Sequence, residues 1–249
     1  MVKLNELVHY TQQLMQVESF KDYCPNGLQV QGKAEIHKIV TGVTASMALL
    51  EAAKQADADL ILVHHGYFWR NEDARVVGIK RNRLAFLLKN DLNLMAYHLP
   101  LDAHPEFGNN IQLARILGIT LTGFTGESNI IAYGTLTEPT SLSDFAAKIE
   151  AALQRSPLVI GDPLQIVRKV AWCTGAAQGY MDTAIELGVD VFISGEISEQ
   201  TTHQSVESGV SYISAGHHVT ERYGVQALGE HLAKKFNLVC EFIDINNPV

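Results

Sequence analysis

The chain has 249 residues, of which 47% are hydrophobic and 18% are charged, and its formal net charge at pH 7 is -8. This balance is that of a folded globular protein and excludes a disordered chain. A negative charge spread along the chain offers no basic stripe for a phosphate backbone, so nucleic acid is not an expected partner.

The cysteines and the apolar stretches bear on the cellular compartment. Cys24, Cys173 and Cys240 are widely separated and include no CxxC pair, so we expect reduced thiols rather than a disulfide framework or a thiolate zinc site. Residues 1–15 lack the apolar core of a signal peptide, and no stretch reaches the roughly 20 apolar residues that span a bilayer. The sequence therefore predicts a cytoplasmic protein without a membrane partner.

Strand and helix patterns alternate through the first half of the chain. After an amphipathic amino-terminal helix, the pattern predicts strands at residues 39–43, 60–63 and 92–97, and helices at residues 45–55, 81–89 and 110–117. Gly118 is placed to end the last of these helices. This β-α-β-α-β-α order is typical of a mostly parallel sheet with helices on its faces.

The same alternation resumes in the second half. A strand-like segment after Asn129 leads to a helix at residues 141–153 with Ser141 as its N-cap, and strands are predicted at residues 167–173, 191–194, 212–214 and 239–243. The turn-rich segment 123–129 is the best candidate for a hinge. We therefore expect two α/β domains, residues 1–125 and 126–249, with a last strand able to pack across the boundary.

The two halves resemble each other. Without a gap, KIVTGVTASMALLEAAKQADADLILVHHG from Lys38 lies against KVAWCTGAAQGYMDTAIELGVDVFISGEI from Lys169, and Asp59 then matches Asp190. LNLMAYHLPLD from Leu92 likewise matches VSYISAGHHVTE from Val210. The similarity predicts a duplicated βαβαβ unit, although two unrelated units of this kind also share a strand-helix-strand pattern.

Polar side chains follow several of the predicted strands, at the edge where open α/β sheets bind ligands. His64 and His65 end one strand directly after LILV. Neighbouring residues of a strand point to opposite faces, so at a strand exit the two imidazoles are better placed to serve two adjacent ions than one. This pattern favours a dinuclear metal centre, and the alternative is a pair of histidines satisfied by the backbone or by solvent.

Two further segments supply candidate ligands. In HLPLDAHPE, Asp102 is a carboxylate able to bridge two cations. His98 and His104 could each be a metal ligand, a residue that supports a ligand, a proton shuttle or a purely structural residue. In AGHHVTERYG, His217 and Glu221 lie at i and i+4, a spacing that brings them to one face of a helix but that is also common by chance. His218 is expected to point elsewhere. The remaining histidines are expected to be surface or packing residues: His9, His37, His203 and His231.

Imidazole and carboxylate ligands without a thiolate suit two divalent ions such as zinc, iron(II), manganese or cobalt. The chain contains no GxxxxGK[ST] phosphate loop, no GxGxxG after a strand and no GxSxG motif, which excludes a P-loop nucleotide hydrolase.

Seven motifs together resemble the NGG-interacting-factor-three family, also labelled GTP cyclohydrolase 1 type 2 homologs, in its short bacterial form: PNGLQV, TGVTAS, VHHGYFW, KRNRL, HLPLDAHPEFGNN, SGEISEQ and AGHHVTER. The resemblance implies two similar α/β domains, a dinuclear metal site between them and a ring-shaped homohexamer. By motif, it also implies the metal ligands His64, His65, Asp102, His217 and Glu221. Longer relatives carry an inserted domain for which residues 123–129 leave no room.

Two functions are compatible with such a site. The first is a metal-dependent hydrolase of an unknown small molecule, nucleotide-like or a cyclic amide, in which Glu196 or His98 acts as general acid or base. The second is a metal storage, delivery or metal-responsive binding protein without turnover. A hydrolase needs an open coordination position and a base that is not a ligand, whereas a carrier needs metal release.

Overall fold

The computed structural model describes all 249 residues. Thirteen strands and ten α-helices are interspersed along the chain, as expected for an α/β fold. The strands are β1 Val2–Lys3, β2 Gly27–Val30, β3 Glu35–Ile36, β4 Lys38–Thr44, β5 Leu60–His65, β6 Asn93–Ala96, β7 Ile119–Thr125, β8 Ile131–Ser141, β9 Leu158–Ile160, β10 Ile166–Cys173, β11 Val191–Ser194, β12 Ser211–Ser214 and β13 Val239–Phe242. The helices are α1 Leu4–Leu14, α2 Met47–Gln55, α3 Gly78–Lys89, α4 Leu99–Ala103, α5 Asn109–Leu117, α6 Leu142–Leu153, α7 Met181–Glu186, α8 Glu199–Ser208, α9 His217–Thr220 and α10 Arg222–Phe236.

The chain divides into two compact units that are not contiguous in sequence. The first comprises Met1–Phe107 and Gly224–Asn246, and the second comprises Gly108–Tyr223 and Asn247–Val249. These units differ from the predicted ranges 1–125 and 126–249. β7 pairs with β8 and so belongs to the second unit. β13 pairs with β4 of the first unit, in line with the expectation that the last strand is able to pack across the boundary.

The first unit is built on a five-stranded sheet in the order β13-β4-β5-β6-β2, in which β2 alone runs antiparallel to its neighbour. Side chains alternate along the buried strands because successive residues face opposite sides of a sheet. One face packs in a cluster with Leu7 of α1 and Leu228 of α10, through Ile39, Leu60, Leu62 and Met95. The other face packs against Leu49 of α2, through Val40, Ile61, Val63 and Leu94.

The second unit contains a six-stranded sheet in the order β7-β8-β10-β11-β12-β9. Its central strands β10, β11 and β12 are parallel, and the outer strands are antiparallel. A large apolar cluster covers one face and includes Phe145 of α6 with Trp172, Ile193 and Ile213 of the sheet. The parallel centre aligns the carboxyl ends of β10, β11 and β12 at one edge.

Strand register and loop contacts recur between the units. Ile39 pairs with Leu60 in the first sheet, and Val170 pairs with Val191 in the second. Asp59 accepts hydrogen bonds from the backbone N–H groups of His37 and Lys38 (2.8 and 3.1 Å), and Asp190 accepts the equivalent pair from Arg168 and Lys169 (2.8 and 2.7 Å).

The segment 123–129 does not separate the two units, contrary to the hinge prediction. Its first residues lie in β7, where Thr125 pairs with Ile131 of β8. The segment is therefore the tip of an antiparallel hairpin inside the second unit, and sheet hydrogen bonds hold it on both sides.

No helix has both the length and the apolar character needed to cross a membrane.

Candidate metal centre

The first unit places two adjacent histidines at the carboxyl end of β5. This strand continues to His65, beyond the predicted end at residue 63, because His65 still pairs with Thr44 of β4. His64 is fully buried and His65 is half-buried, and their ring centroids lie 4.5 Å apart. The Thr44 hydroxyl lies 3.2 Å from Nδ1 of His65.

The orientation of His64 is set by the backbone of the neighbouring strand end. Its Nδ1 lies 2.9 Å from the carbonyl oxygen of Tyr97, and because a carbonyl only accepts, Nδ1 carries the proton. Nε2 is then the nitrogen with the lone pair, and it lies 3.6 Å from Oδ1 of Asp102. A histidine that donates its other ring N–H to a backbone carbonyl has the arrangement usual for a metal ligand.

Asp102 lies on the short helix α4, which begins directly after His98. Its backbone N–H donates to the carbonyl oxygen of His98 (3.1 Å), and its side chain is buried. Pro100 lies in the first turn of this helix, where its missing N–H costs no hydrogen bond. The helix thus holds the Asp102 carboxylate beside Nε2 of His64.

His98 joins the same cluster. Its ring centroid lies 5.1 Å from that of His64 and 5.9 Å from that of His65. One ligand atom from each of these three histidines lies within 4.8 Å of the others, so the group could hold a metal ion. Trp69 packs edge-on against the His98 ring at 4.9 Å.

Asp22 also belongs to this site, and no motif in the sequence indicates it. Its Oδ1 lies 2.7 Å from Nδ1 of His98. Burial would raise the pKa of the Asp22 carboxyl, but hydrogen bonds from His98 and Asn26 and the charge of His98 outweigh burial and lower this pKa to about 2. The two residues are 76 positions apart, and no spacing rule connects a turn-rich loop to a strand end at that distance.

In the second unit, His217 and Glu221 come together as predicted, but not on one continuous helix. α9 ends at Thr220, and Glu221 has φ -110 and ψ 6. Nε2 of His217 nevertheless lies 3.2 Å from Oε2 of Glu221, whose side chain is only 3% exposed. The i, i+4 spacing therefore brings the two side chains together over a single turn.

Glu196, predicted as a general acid or base, contacts His217 directly. Its Oε1 lies 2.7 Å from Nδ1 of His217, on the opposite side of the ring from Glu221. Burial would lower the pKa of His217, but the hydrogen bonds and charges of Glu221 and Glu196 outweigh it and raise this pKa to about 9. Two carboxylates around one imidazole make this corner strongly attractive to cations.

Two glycines leave space for Glu221 and His217. Gly175 has φ +70, and a Cβ there would lie 2.1 Å from Oε1 of Glu221. A Cβ on Gly195 would lie 2.6 Å from Cα of His217. Both glycines follow sheet strands, so a small residue at a strand exit beside candidate ligands is the signal that could have identified them.

The other histidines take structural positions. Nδ1 of His104 accepts hydrogen bonds from the backbone N–H groups of Glu106 and Phe107 (3.1 and 3.0 Å), and burial lowers the pKa of His104. Nε2 of His231 lies 2.7 Å from the hydroxyl oxygen of Tyr10. His218 is buried, and its backbone N–H donates to the terminal residue Val249 (3.0 Å). These contacts stabilise loops and packing.

The donor set fits divalent metals of the zinc, iron(II) and manganese type, since it contains imidazoles and carboxylates, and Nδ1 of both His64 and His217 is held by a hydrogen-bond partner. The fold and these side chains define a mixed α/β protein with histidine and carboxylate groups that could bind metal. The chain belongs to the Duf34/NIF3 (NGG1p interacting factor 3) family, whose model matches residues 2–248.

Known relatives match the whole chain. A Pseudomonas aeruginosa protein named "GTP cyclohydrolase 1 type 2 homolog" is 54% identical over 250 residues, which cover 99% of each chain. A solved structure described as "protein ybgI, unknown function" is 50% identical, with a TM-score of 0.96 and complete coverage of both chains. TTHA1606 from Thermus thermophilus is 33% identical, with a TM-score of 0.91 and complete coverage of both chains.

Proposed function

We propose that this protein binds two divalent metal ions and hydrolyses a small nucleotide-like or cyclic amide substrate. The observation that carries the proposal is the matched orientation of His64 and His217. Each imidazole is held at Nδ1 by a fixed acceptor, and each has Nε2 close to a buried carboxylate, Asp102 or Glu221. This is how proteins prepare histidine for a metal ion.

The proposed ligands are His64, His65, Asp102, His217 and Glu221. Burial of two carboxylates beside imidazoles is costly unless positive charge compensates for them. Two divalent ions would supply this charge, and when bound they would lower the pKa of water and polarise a substrate carbonyl or phosphoryl group.

The remaining polar groups have roles that do not require ligation. We assign proton transfer to His98, because its ring adjoins both first-unit histidines while Asp22 holds its Nδ1. Glu196 fixes the ring of His217, and its partly exposed carboxylate is a second candidate for acid or base. A nucleotide-like substrate is suggested by the relatives named "GTP cyclohydrolase 1 type 2 homolog".

The proposal extends to the organisation of the protein. Equal strand register and the equivalent Asp59 and Asp190 loops support two similar domains that arose from a duplicated βαβαβ unit. We further propose a cytoplasmic homohexamer. Exposed apolar side chains of the second unit support a self-contact, namely Leu158, Leu164 and Ile166. Light scattering after gel filtration tests this assembly.

The decisive experiment combines metal analysis with a hydrolysis screen. Protein loaded with zinc, manganese or iron(II) is assayed with GTP, phosphoesters and cyclic amides, and wild type is compared with His65→Ala. We expect two ions per chain, turnover of at least one substrate class and loss of both in the variant. Two bound ions without turnover would instead support the metal storage or delivery function, and no bound metal would refute both.

A further inference from the structure

Each carboxylate oxygen of Asp22 has two hydrogen-bond partners in the protein. Oδ1 accepts from the backbone N–H of Tyr23 (2.6 Å) and lies 2.7 Å from Nδ1 of His98. Oδ2 accepts from the side chain of Asn26 (2.8 Å) and from the backbone N–H of Leu99 (2.9 Å). Its side chain is 3% exposed, so protein groups and not water hold this carboxylate.

The same loop also holds the backbone of His98. Oδ1 of Asn26 accepts the N–H of His98 at 2.7 Å, in addition to the contact between Asp22 and the ring. The loop thus fixes His98 at two points, while Leu99 provides a third attachment through Asp22. These attachments restrict both the position and the rotation of the His98 ring.

The Asp22 contact also selects the tautomer of His98. A carboxylate with a pKa of about 2 is ionised at neutral pH and can only accept, so Nδ1 of His98 carries the proton. In the neutral ring, Nε2 then has the lone pair, on the side of the ring remote from Asp22. The rings of His64, His65 and Trp69 surround His98, with centroid distances of 5.1, 5.9 and 4.9 Å.

We infer that Asp22 is a positioning residue that holds His98 in the Nδ1–H tautomer and presents its Nε2 lone pair to the reacting groups at the candidate metal centre. This inference rests on the proposed hydrolytic function for its kinetic consequence, but not for its structural one. Asp22 would act only through His98, as the aspartate of a serine protease triad acts through its histidine.

The structural part is tested by NMR of protein labelled with ¹⁵N-histidine and loaded with zinc, which is diamagnetic. The His98 ring signals are assigned by their absence from His98→Gln. We expect Nδ1 to be the protonated nitrogen in wild type and Asp22→Asn to move the population towards Nε2–H. A matched control is Asp73→Asn, which removes one charge from an exposed carboxylate paired with Arg75. Protonation of Nε2 in wild type, or an unchanged His98 signal in Asp22→Asn, would overturn the inference.

The kinetic part is tested by a double-mutant cycle with Asp22→Asn and His98→Gln. We expect Asp22→Asn to lower kcat about 100-fold with KM nearly unchanged, since general acid–base catalysis contributes on that scale. In the His98→Gln background, Asp22→Asn should have almost no further effect. Additive losses would show that Asp22 acts independently of His98 and would refute the positioning role.

The two tests separate failure of the inference from failure of the proposed function. If no substrate is turned over, the NMR result still decides whether Asp22 sets the tautomer of His98. If turnover is found and the NMR signal does not respond, the hydrolase stands and the role of Asp22 does not. Asp22→Glu keeps the charge and provides a variant for recovery of the Nδ1–H signal if Asp22→Asn folds poorly.

Discussion

Glu196 and His217 form a carboxylate–imidazole pair in which Oε1 lies 2.7 Å from Nδ1, and the other nitrogen of the same ring lies 3.2 Å from Glu221. One carboxylate thus orients the ring through Nδ1, and the other lies beside Nε2, the nitrogen that would bind a metal ion. A carboxylate at Nδ1 typically makes the imidazole a stronger metal ligand.

Removal of Glu196 should therefore weaken metal binding without removing a ligand. We expect Glu196→Ala to lower zinc affinity by about 10- to 100-fold, the usual effect of losing such a supporting group, and Glu196→Gln to lower it less because the amide oxygen still accepts. Competition with a chromophoric chelator measures the affinity. Glu199→Gln, at an exposed position on α8, is the control. Equal affinities in wild type and Glu196→Ala would contradict the role.

Gly175 provides a second test, because a methyl group there would strike Glu221. Both Gly175 (φ +70) and Gly188 (φ +61) have left-handed backbones, but a Cβ on Gly188 meets nothing within 4 Å. We expect each Gly→Ala variant to lose about 1–2 kcal/mol of unfolding free energy, because alanine is strained at positive φ. Only Gly175→Ala should also lose metal affinity. Denaturant unfolding and metal titration of both variants distinguish strain from displacement of the ligand.

The parts of the site that follow local rules could be predicted from the sequence. His64, His65 and His217 could be located because apolar runs identify buried strands, and ligands gather at strand ends. The pairing of His217 with Glu221 follows from local geometry, even though the helix between them is only one turn long. These features depend on residues that are close in sequence.

Asp22 and the unit boundary could not be predicted in the same way. The contact between Asp22 and His98 depends on a loop that folds across a strand end, and neither residue carries a periodic signal for it. The boundary depends on β7 pairing forward with β8 and on β13 returning to β4. The return of β13 to β4 spans almost the whole chain and is set by tertiary packing, while an apolar pattern does not encode which neighbour β7 pairs with.

Metal removal should lower stability if the ions bind the folded chain and not the unfolded one. At a free metal concentration 100 times the dissociation constant, one site adds about 2.7 kcal/mol to the unfolding free energy. We expect the melting temperature to rise with added zinc or manganese and to fall after chelation. His64→Gln should respond much less, because it lacks a proposed ligand. A melting temperature that is independent of metal in wild type would argue against binding by the folded protein.

We expect Asp59 to make the unfolding free energy depend on pH in the acid range, and a single substitution can separate this effect from that of other carboxylates. Burial would raise the pKa of its carboxyl, but the hydrogen bond from Lys33 and those from the backbone of His37 and Lys38 outweigh burial and lower this pKa. A carboxyl with a lowered pKa in the folded state stabilises the protein above its unfolded pKa of about 3.9, and this contribution is lost as pH falls through the folded value.

We therefore expect the unfolding free energy of wild type to decrease below about pH 4, where the unfolded chain takes up the proton first. Asp59→Asn should be less stable by about 1–3 kcal/mol at neutral pH, because two backbone donors lose a charged acceptor, and its stability should fall less steeply in acid. Urea unfolding at a series of pH values measures both. Asp57→Asn, two residues away and exposed, is the control. Parallel curves for wild type and Asp59→Asn would show that other carboxylates, and not this loop, govern acid unfolding.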